Sequence, residues 1–354
     1  MRHAHPTEAR HAEAALLSYP VAEPPAPGDG IEIAPGVLWV RFPLPMALDH
    51  VNLYAFEEPE GWTLVDTGLR WPKGEEAMAH MLSGPLRGKA VTRVICTHHH
   101  PDHVGFAGRF QRQGAELWMT RVAWLTARML TLDVEDTYPA ETVTFYRRAG
   151  MAQDVLDKRM GERPFNFADI VEPMPLGYTR LSEGQEVTFG GRRWIVRLGS
   201  GHAPDHATFW SQDDDLVITG DQVIPGISPN IGLYPTEPEA DPVADWIASC
   251  ERLAAHAAGD HLVLPGHKRP FRGLPLRLTQ LIDNHHGVLE RLRAHLERPA
   301  SAGGCFAPIF KRQIGAGEYG LALVEAFAHC QHLYHQGEVT RTLSPAGAWL
   351  YQRA

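Results

Sequence analysis

The sequence predicts an α+β fold, in which a framework of short strands is interrupted by a helical insertion and followed by a small, mainly helical C-terminal domain. Three observations carry this reading. β-prone runs separated by turns fill residues 31–120 and return between about 180 and 265; the stretch from about 121 to 177 has helical spacing; and after "HLVLPGH" the strand signal stops. The chain has 354 residues, 44% hydrophobic and 21% charged, which is ordinary for a globular protein with material for a substantial core.

Residues 1–30 end in "AEPPAPGDG" and read as an arm without a core of its own. "GVLWVRFPL", "VNLYAFEE" and "GWTLVDTG" are three strands, the last two joined by the turn Glu58-Pro59-Glu60-Gly61. "AMAHMLSGPL" is a short helix and "AVTRVICT" a buried strand. A helix from about Asp102 to Arg112 follows, opened by Pro101 and Asp102, and stops near Gly114. "AELWMT" is the next strand.

The insertion carries "RVAWLTARMLTL", "AETVTFYRRAGM" and "AQDVLDKRM" as helices, with Tyr138, Phe145, Tyr146, Phe165 and Phe167 as its aromatics. Strands return in "EVTFGG", "RRWIVRLGS", "ATFWSQ" and "LVITGD". From Leu276 onward Leu278, Leu281, Ile282, Leu289, Leu292 and Leu296 mark one helical face. A second helix over about Tyr319–His335 leads into "GEVTRTLS", a short strand. No internal repeat is visible.

The formal net charge of -9 counts against a polyanionic partner. No run approaches the roughly 20 apolar residues of a membrane span, and the polar N-terminus lacks the apolar core of a secretory signal. Cys96, Cys250, Cys305 and Cys330 are widely spaced with no C-x-x-C pair, as expected of reduced thiols in a cytoplasmic protein.

The chemistry lies in five stretches, each placing a metal-competent side chain just after an apolar strand: Asp66 in "TLVDTG", the histidines and aspartate of "ICTHHHPDH", His202 in "RLGSGHAPDH", Asp221 in "LVITGDQ" and His267 in "LVLPGH". Strand C-termini along one sheet edge are where layered folds assemble sites. Imidazole with carboxylate suits a borderline divalent ion, zinc above all, with iron and manganese as alternatives. Isolated histidines such as His80, His256, His285 and His286 carry no such context.

This ordered set resembles the metallo-β-lactamase superfamily over roughly residues 31–270. The resemblance implies a four-layer αββα sandwich over 31–274, with the insertion at about 121–177. It implies two divalent metal ions: His98, His100 and His202 on the first, Asp102, His103 and His267 on the second, and Asp221 bridging them. His99 is the variable position between ligands. Asp66 and Asp102 are the candidate catalytic carboxylates, Asp66 by orienting a ligand histidine from behind and Asp102 by steering the nucleophile or passing its proton to the leaving group. Asp205 and His206 are candidates for similar support. Two such ions share a water and lower its pKa to about 7, so hydrolysis by the resulting hydroxide is expected.

A bridging Asp221 with no cysteine ligand departs from true zinc β-lactamases and resembles thioesterases of the glyoxalase II type, lactonases and phosphodiesterases. A small, partly apolar thioester or lactone is therefore the expected substrate, with the insertion aromatics as a lid. Tyr234 is a candidate contact to the reacting carbonyl. In "GHKRPFRGLPLR", Lys268 and Arg269, with Arg272 and Arg277 beyond them, are candidates for a substrate anion. Residues 275–354 resemble the winged-helix-like appendage of one branch of the superfamily, which includes members acting on RNA. A single-strand nuclease or phosphodiesterase is thus the main alternative, and a mono-iron persulfide dioxygenase a further one. "EYGLALVEAFAHCQHLYHQGE" has no Lys or Arg, so this segment is expected to pack on the core or to form a homodimer contact rather than to read nucleic acid.

Overall fold

The computed structural model describes residues 17–354; most of the arm expected over 1–30 lies outside them. Seven strands form the first sheet in sequence order: β1 (Gly30–Ala34), β2 (Val37–Pro43), β3 (His50–Glu58), β4 (Gly61–Val65), β5 (Val91–Ile95), β6 (Glu116–Thr120) and β7 (Thr179–Leu181). β1 to β4 are an antiparallel meander, and β4 to β7 run parallel. The second sheet has the order β12-β11-β10-β9-β8, built from β8 (Glu186–Phe189), β9 (Arg192–Gly199), β10 (His206–Ser211), β11 (Leu216–Gly220) and β12 (Leu262–Pro265). Within it β11 and β12 run parallel, and the other neighbours are antiparallel.

Three apolar layers follow from the period-2 alternation of these strands. Trp39, Tyr54, Phe56 and Ile95 of the first sheet meet Phe189, Trp194, Phe209 and Ile218 of the second. The outer face of the first sheet (Val40, Leu53, Leu64) packs on α1 (Pro72–Ser83), α3 (Ala107–Arg112) and α4 (Arg121–Leu132) through Met78, Phe110 and Ala123. The outer face of the second (Trp210, Val217, Val263) packs on α7 (Pro242–Ala254) and α8 (Leu274–His295) through Trp246, Leu278 and Leu281. The architecture is thus a four-layer αββα sandwich.

The helix expected from Asp102 to Arg112 is in fact two, α2 (Pro101–Val104) and α3. The His103 carbonyl is taken by the backbone N–H and hydroxyl of Thr67, and the Gly105 carbonyl by the N–H of Glu172. Those contacts replace the bonds that a continuous helix needs. α1 starts earlier than its apolar core suggested, at Pro72.

The insertion divides between the two outer layers. α4 buries Ala123, Trp124 and Ala127 against the first sheet, while α5 (Ala140–Arg148) and α6 (Gln153–Met160) join the second sheet's outer layer. Of the aromatics expected in a lid, Phe145 is buried against Phe327, 5.1 Å between centroids, and Phe167 packs beneath α4's layer. Phe165 is exposed.

The C-terminal region shares the same apolar layer. α8, α9 (Phe306–Phe310) and α10 (Tyr319–His335) are followed by a hairpin of β13 (Val339–Leu343) and β14 (Trp349–Arg353). The end of the N-terminal arm is pinned rather than free: Leu17 is buried in this layer and Ser18 pairs with Arg272. Among the described residues no helix is long and apolar enough to cross a membrane, and the four cysteines are buried free thiols.

Candidate metal centre

β4, β5, β9, β11 and β12 all end at one edge of the sandwich, and the loops leaving them converge. Asp66 follows β4; His98 and His100 follow β5, with Asp102 and His103 on α2. His202, Asp221 and His267 follow β9, β11 and β12. Three sets of donor atoms lie within 4.8 Å of one another: His98, His100 and His202; Asp102, His103 and His267; and His98, His103 and Asp221. Asp221 stands between the first two sets, its Oδ2 3.4 Å from His202 Nε2 and 3.1 Å from His267 Nε2. Asp102 Oδ2 is 3.4 Å from His267 Nε2 and 3.6 Å from His103 Nε2.

Each of three ligand rings is held by its other nitrogen. His103 Nδ1–H donates to Asp66 Oδ2 at 2.8 Å, His202 Nδ1–H to the Asn230 carbonyl at 2.8 Å and His267 Nδ1–H to the His50 carbonyl at 2.7 Å. For His202 and His267 the partner is a carbonyl, which only accepts, so these bonds fix the tautomer that leaves Nε2 bare toward the centre; the partner of His103 is the Asp66 carboxylate. His206 Nε2 accepts from the Asp221 N–H at 3.0 Å and its ring stacks on His98. Asp205, in contrast, contributes its carbonyl to Thr120 Oγ1.

Asp66 does not face the cluster. Held at a φ of 61°, it accepts from the N–H and hydroxyl of Thr97 and from His103. Its contacts reach the cluster from behind, directly at His103 and by way of Thr97, whose hydroxyl also lies 3.0 Å from His98 Nδ1.

The electrostatics suit a cation. Burial pushes the His98 and His100 imidazoles well below the usual histidine range, which leaves neutral donors. Burial also opposes charge on His103, but Asp221, Asp102 and Asp66 together raise it. His103 Nε2, His202 Nε2 and Asp221 Oδ1 are buried without a hydrogen-bond partner. Such atoms cost about 1–3 kcal/mol each unless something meets them. All three belong to the donor sets, so imidazole and carboxylate here fit a divalent metal.

Packing fixes the last ligand loop. Asn52 Nδ2 donates to the carbonyls of Pro265 and Lys268, while Trp39 Nε1 donates to Asn52 Oδ1. Gly266 is obligatory: a Cβ there would stand 2.1 Å from Asp221 Oδ1. Asn52, Asn230 and Glu325, whose Oε2 accepts from Asn230 Nδ2 at 2.8 Å, were not singled out in the sequence. Nothing in a lone asparagine or glutamate marks such a role.

The remaining candidates lie outside the donor sets. His99 is turned aside, its ring edge-on to His98 and His100. Tyr234 is 40% exposed. Arg272 pairs with Asp215, and Arg277 donates to the carbonyls of Ile224 and Ile227, so both serve the fold. Lys268 and Arg269 flank His267 on the side away from Asp221, around His50.

A sequence profile described as the metallo-beta-lactamase superfamily matches residues 46–267. The chain belongs to the metallo-beta-lactamase superfamily. A second profile, for the metallo-beta-lactamase-like C-terminal domain, matches residues 289–354. The chain resembles a beta-lactamase domain protein from Burkholderia ambifaria, 36% identical over 96% of this chain and 98% of that one, with a TM-score of 0.86. A metallo-beta-lactamase family protein from Thermus thermophilus is 26% identical over 91% of this chain and 100% of its own, with a TM-score of 0.77. The probable metallo-hydrolase YqjP of Bacillus subtilis is 22% identical over 272 residues, 75% of this chain and 82% of that protein. With the donor sets above, superfamily membership makes this chain a metal-dependent hydrolase.

Proposed function

We propose that the chain is a dinuclear hydrolase that cleaves the thioester or lactone bond of a small, partly apolar substrate. The observation that carries this reading is the place of Asp221, within 3.4 Å of a donor nitrogen in each of two neighbouring sets. That arrangement favours two ions over the single iron of a dioxygenase. His98, His100 and His202 would hold one divalent ion and Asp102, His103 and His267 another, zinc first and iron or manganese otherwise; bound there, they would supply Lewis acidity and a water nucleophile near neutrality.

The chain's own residues do the rest. Asp66, Asn230 and the His50 carbonyl aim three imidazoles. Asp102 is the most exposed of the ligating carboxylates, 17% against 6% for Asp221, and is placed to hand a proton to the leaving group. At 40% exposed, the Tyr234 phenol needs no burial to keep its proton near neutrality, because a free phenol ionises only at about 10. It therefore stays protonated at working pH, able to donate to a substrate carbonyl.

Leu125, Met129 and Leu132, on one face of α4, and Phe165 are exposed on the insertion, which supports a substrate with an apolar part. Against nucleic acid stand the net charge of -9 and α10, which carries no Lys or Arg and is largely buried. The test is metal analysis followed by a panel of thioesters, lactones, phosphodiesters and single-stranded RNA. Close to two ions per chain with thioester or lactone turnover is expected. RNA cleavage lost in His100→Ala would overturn the reading.

A further inference from the structure

A cavity of about 480 Å³ opens beside the His267 loop, lined by Arg41, His50, Lys268 and Arg269 with Tyr19 and residues 225–227. Its charge is one-sided. Arg41, Lys268 and Arg269 face one nearby acid, Asp49, which is 3.8 Å from Arg41 and 79% exposed to solvent. Arg41 Nε is buried with no acceptor among the described residues. Lys268 has no carboxylate within ion-pairing distance among them.

The cations are also held in place. Lys268 sits at a φ of 69°, its N–H given to His50 Nε2 and its carbonyl taken by Asn52 Nδ2, both at 2.8 Å. Arg269 lies 4.4 Å over the Tyr19 ring and gives one N–H to the Ala22 carbonyl, leaving the rest of its fork available. Concentrating positive charge in a chain of net charge -9, part of it desolvated, costs free energy unless an anion completes the site.

We propose that this cavity binds a phosphate group of the substrate, carried on the leaving-group side of a thioester; this rests on the hydrolase reading above. Two features favour phosphate over carboxylate. A phosphate brings up to two negative charges and three acceptor oxygens to three cations, and Asp49 already offsets part of Arg41. The cavity lies behind His267, one residue layer from the metal centre, so it would take the far end of a long leaving group that reaches round that ring. His50 lines it, and the His50 carbonyl holds the His267 ring.

The test compares acyl-phosphopantetheine with acyl-pantetheine, which differ only in the phosphate, and adds the glutathione thioester of the same acyl group. In the metal-loaded enzyme, kcat/KM is expected to favour the phosphorylated thiol at least tenfold, through KM. That ratio should fall toward one in a Lys268→Asn/Arg269→Gln variant, asparagine being tolerant of the left-handed backbone. A wild-type ratio near one, or a ratio the variant leaves intact, overturns the proposal, and a preference for the glutathione thioester replaces phosphate by carboxylate.

A second readout does not depend on turnover. Calorimetric binding of inorganic phosphate to the loaded wild type and variant isolates the cavity, since the metals are common to both. Binding lost in the variant, with no thioester hydrolysed, sinks the thioester reading and keeps the phosphate site. Equal binding in both removes the site.

Discussion

Glu325→Gln isolates the coupling between the C-terminal helix and the metal centre. Glu325 on α10 accepts from Asn230 Nδ2, and the Asn230 carbonyl accepts from His202 Nδ1–H. Burial raises the Glu325 carboxyl from 4.5 to about 7, and the Asn230 bond and the Arg312 charge pull it back only in part. Between these values the folded chain keeps a proton that the unfolded chain has released. Stability is therefore greatest below 4.5 and declines as pH rises toward 7. At about 1.4 kcal/mol per pH unit the full difference is about 3 kcal/mol, and solvent reaching this half-buried group reduces it, so about 1–3 kcal/mol is expected. Glutamine removes the charge and keeps an oxygen for Asn230. Urea unfolding of metal-loaded wild type and variant should show the variant gaining about 1–2 kcal/mol at pH 8 relative to pH 5.5, because only the part of the window between 5.5 and 7 is sampled. The metal ligands titrate in both proteins and cancel in the comparison. A stability difference that does not change between the two pH values would refute a carboxyl held protonated by burial.

Three further outcomes follow from the site. Asp66→Asn keeps the left-handed backbone but loses one of the two acceptors aimed at Thr97 and His103. Metal affinity should fall roughly 10–100-fold, measured by competition with a chromogenic chelator. Gly266→Ala drives a methyl into Asp221 Oδ1 and toward His103 Cε1, so metal content should drop while the circular dichroism spectrum is retained; full metal content would show that the loop yields. Asp221→Ala should lose most of the second ion and nearly all hydrolysis, read by elemental analysis and turnover, and full activity would remove Asp221 from the mechanism.

The donor set was legible because each member closely follows a strand with an apolar run; β4, β11 and β12 are buried along their whole length, β5 and β9 only in part. The helices of the insertion were legible from their helical spacing, and the helix from Leu274 from a periodic apolar face, whereas Tyr319–His335 is buried nearly all round. What escaped had no local signal. β7 is three residues long and paired through its neighbours alone. β1 and β14 are half-polar edge strands; α7 is the exception, since Asp241 caps it, Pro242 opens it and Val243, Trp246, Cys250 and Leu253 recur on one buried face. The break between α2 and α3 depends on Thr67, which lies 36 positions from His103. Asn52 reaches Pro265 across 213 positions, a separation over which no spacing argument operates.

The candidate ligands come from both sheets, from His98 near the first third of the chain to His267. A nascent polypeptide displays the first four of them long before the last has been synthesised. Until residue 267 clears the ribosome, those early side chains offer only an incomplete and promiscuous chelator. A complete donor set therefore has to wait for the second sheet to pack against the first.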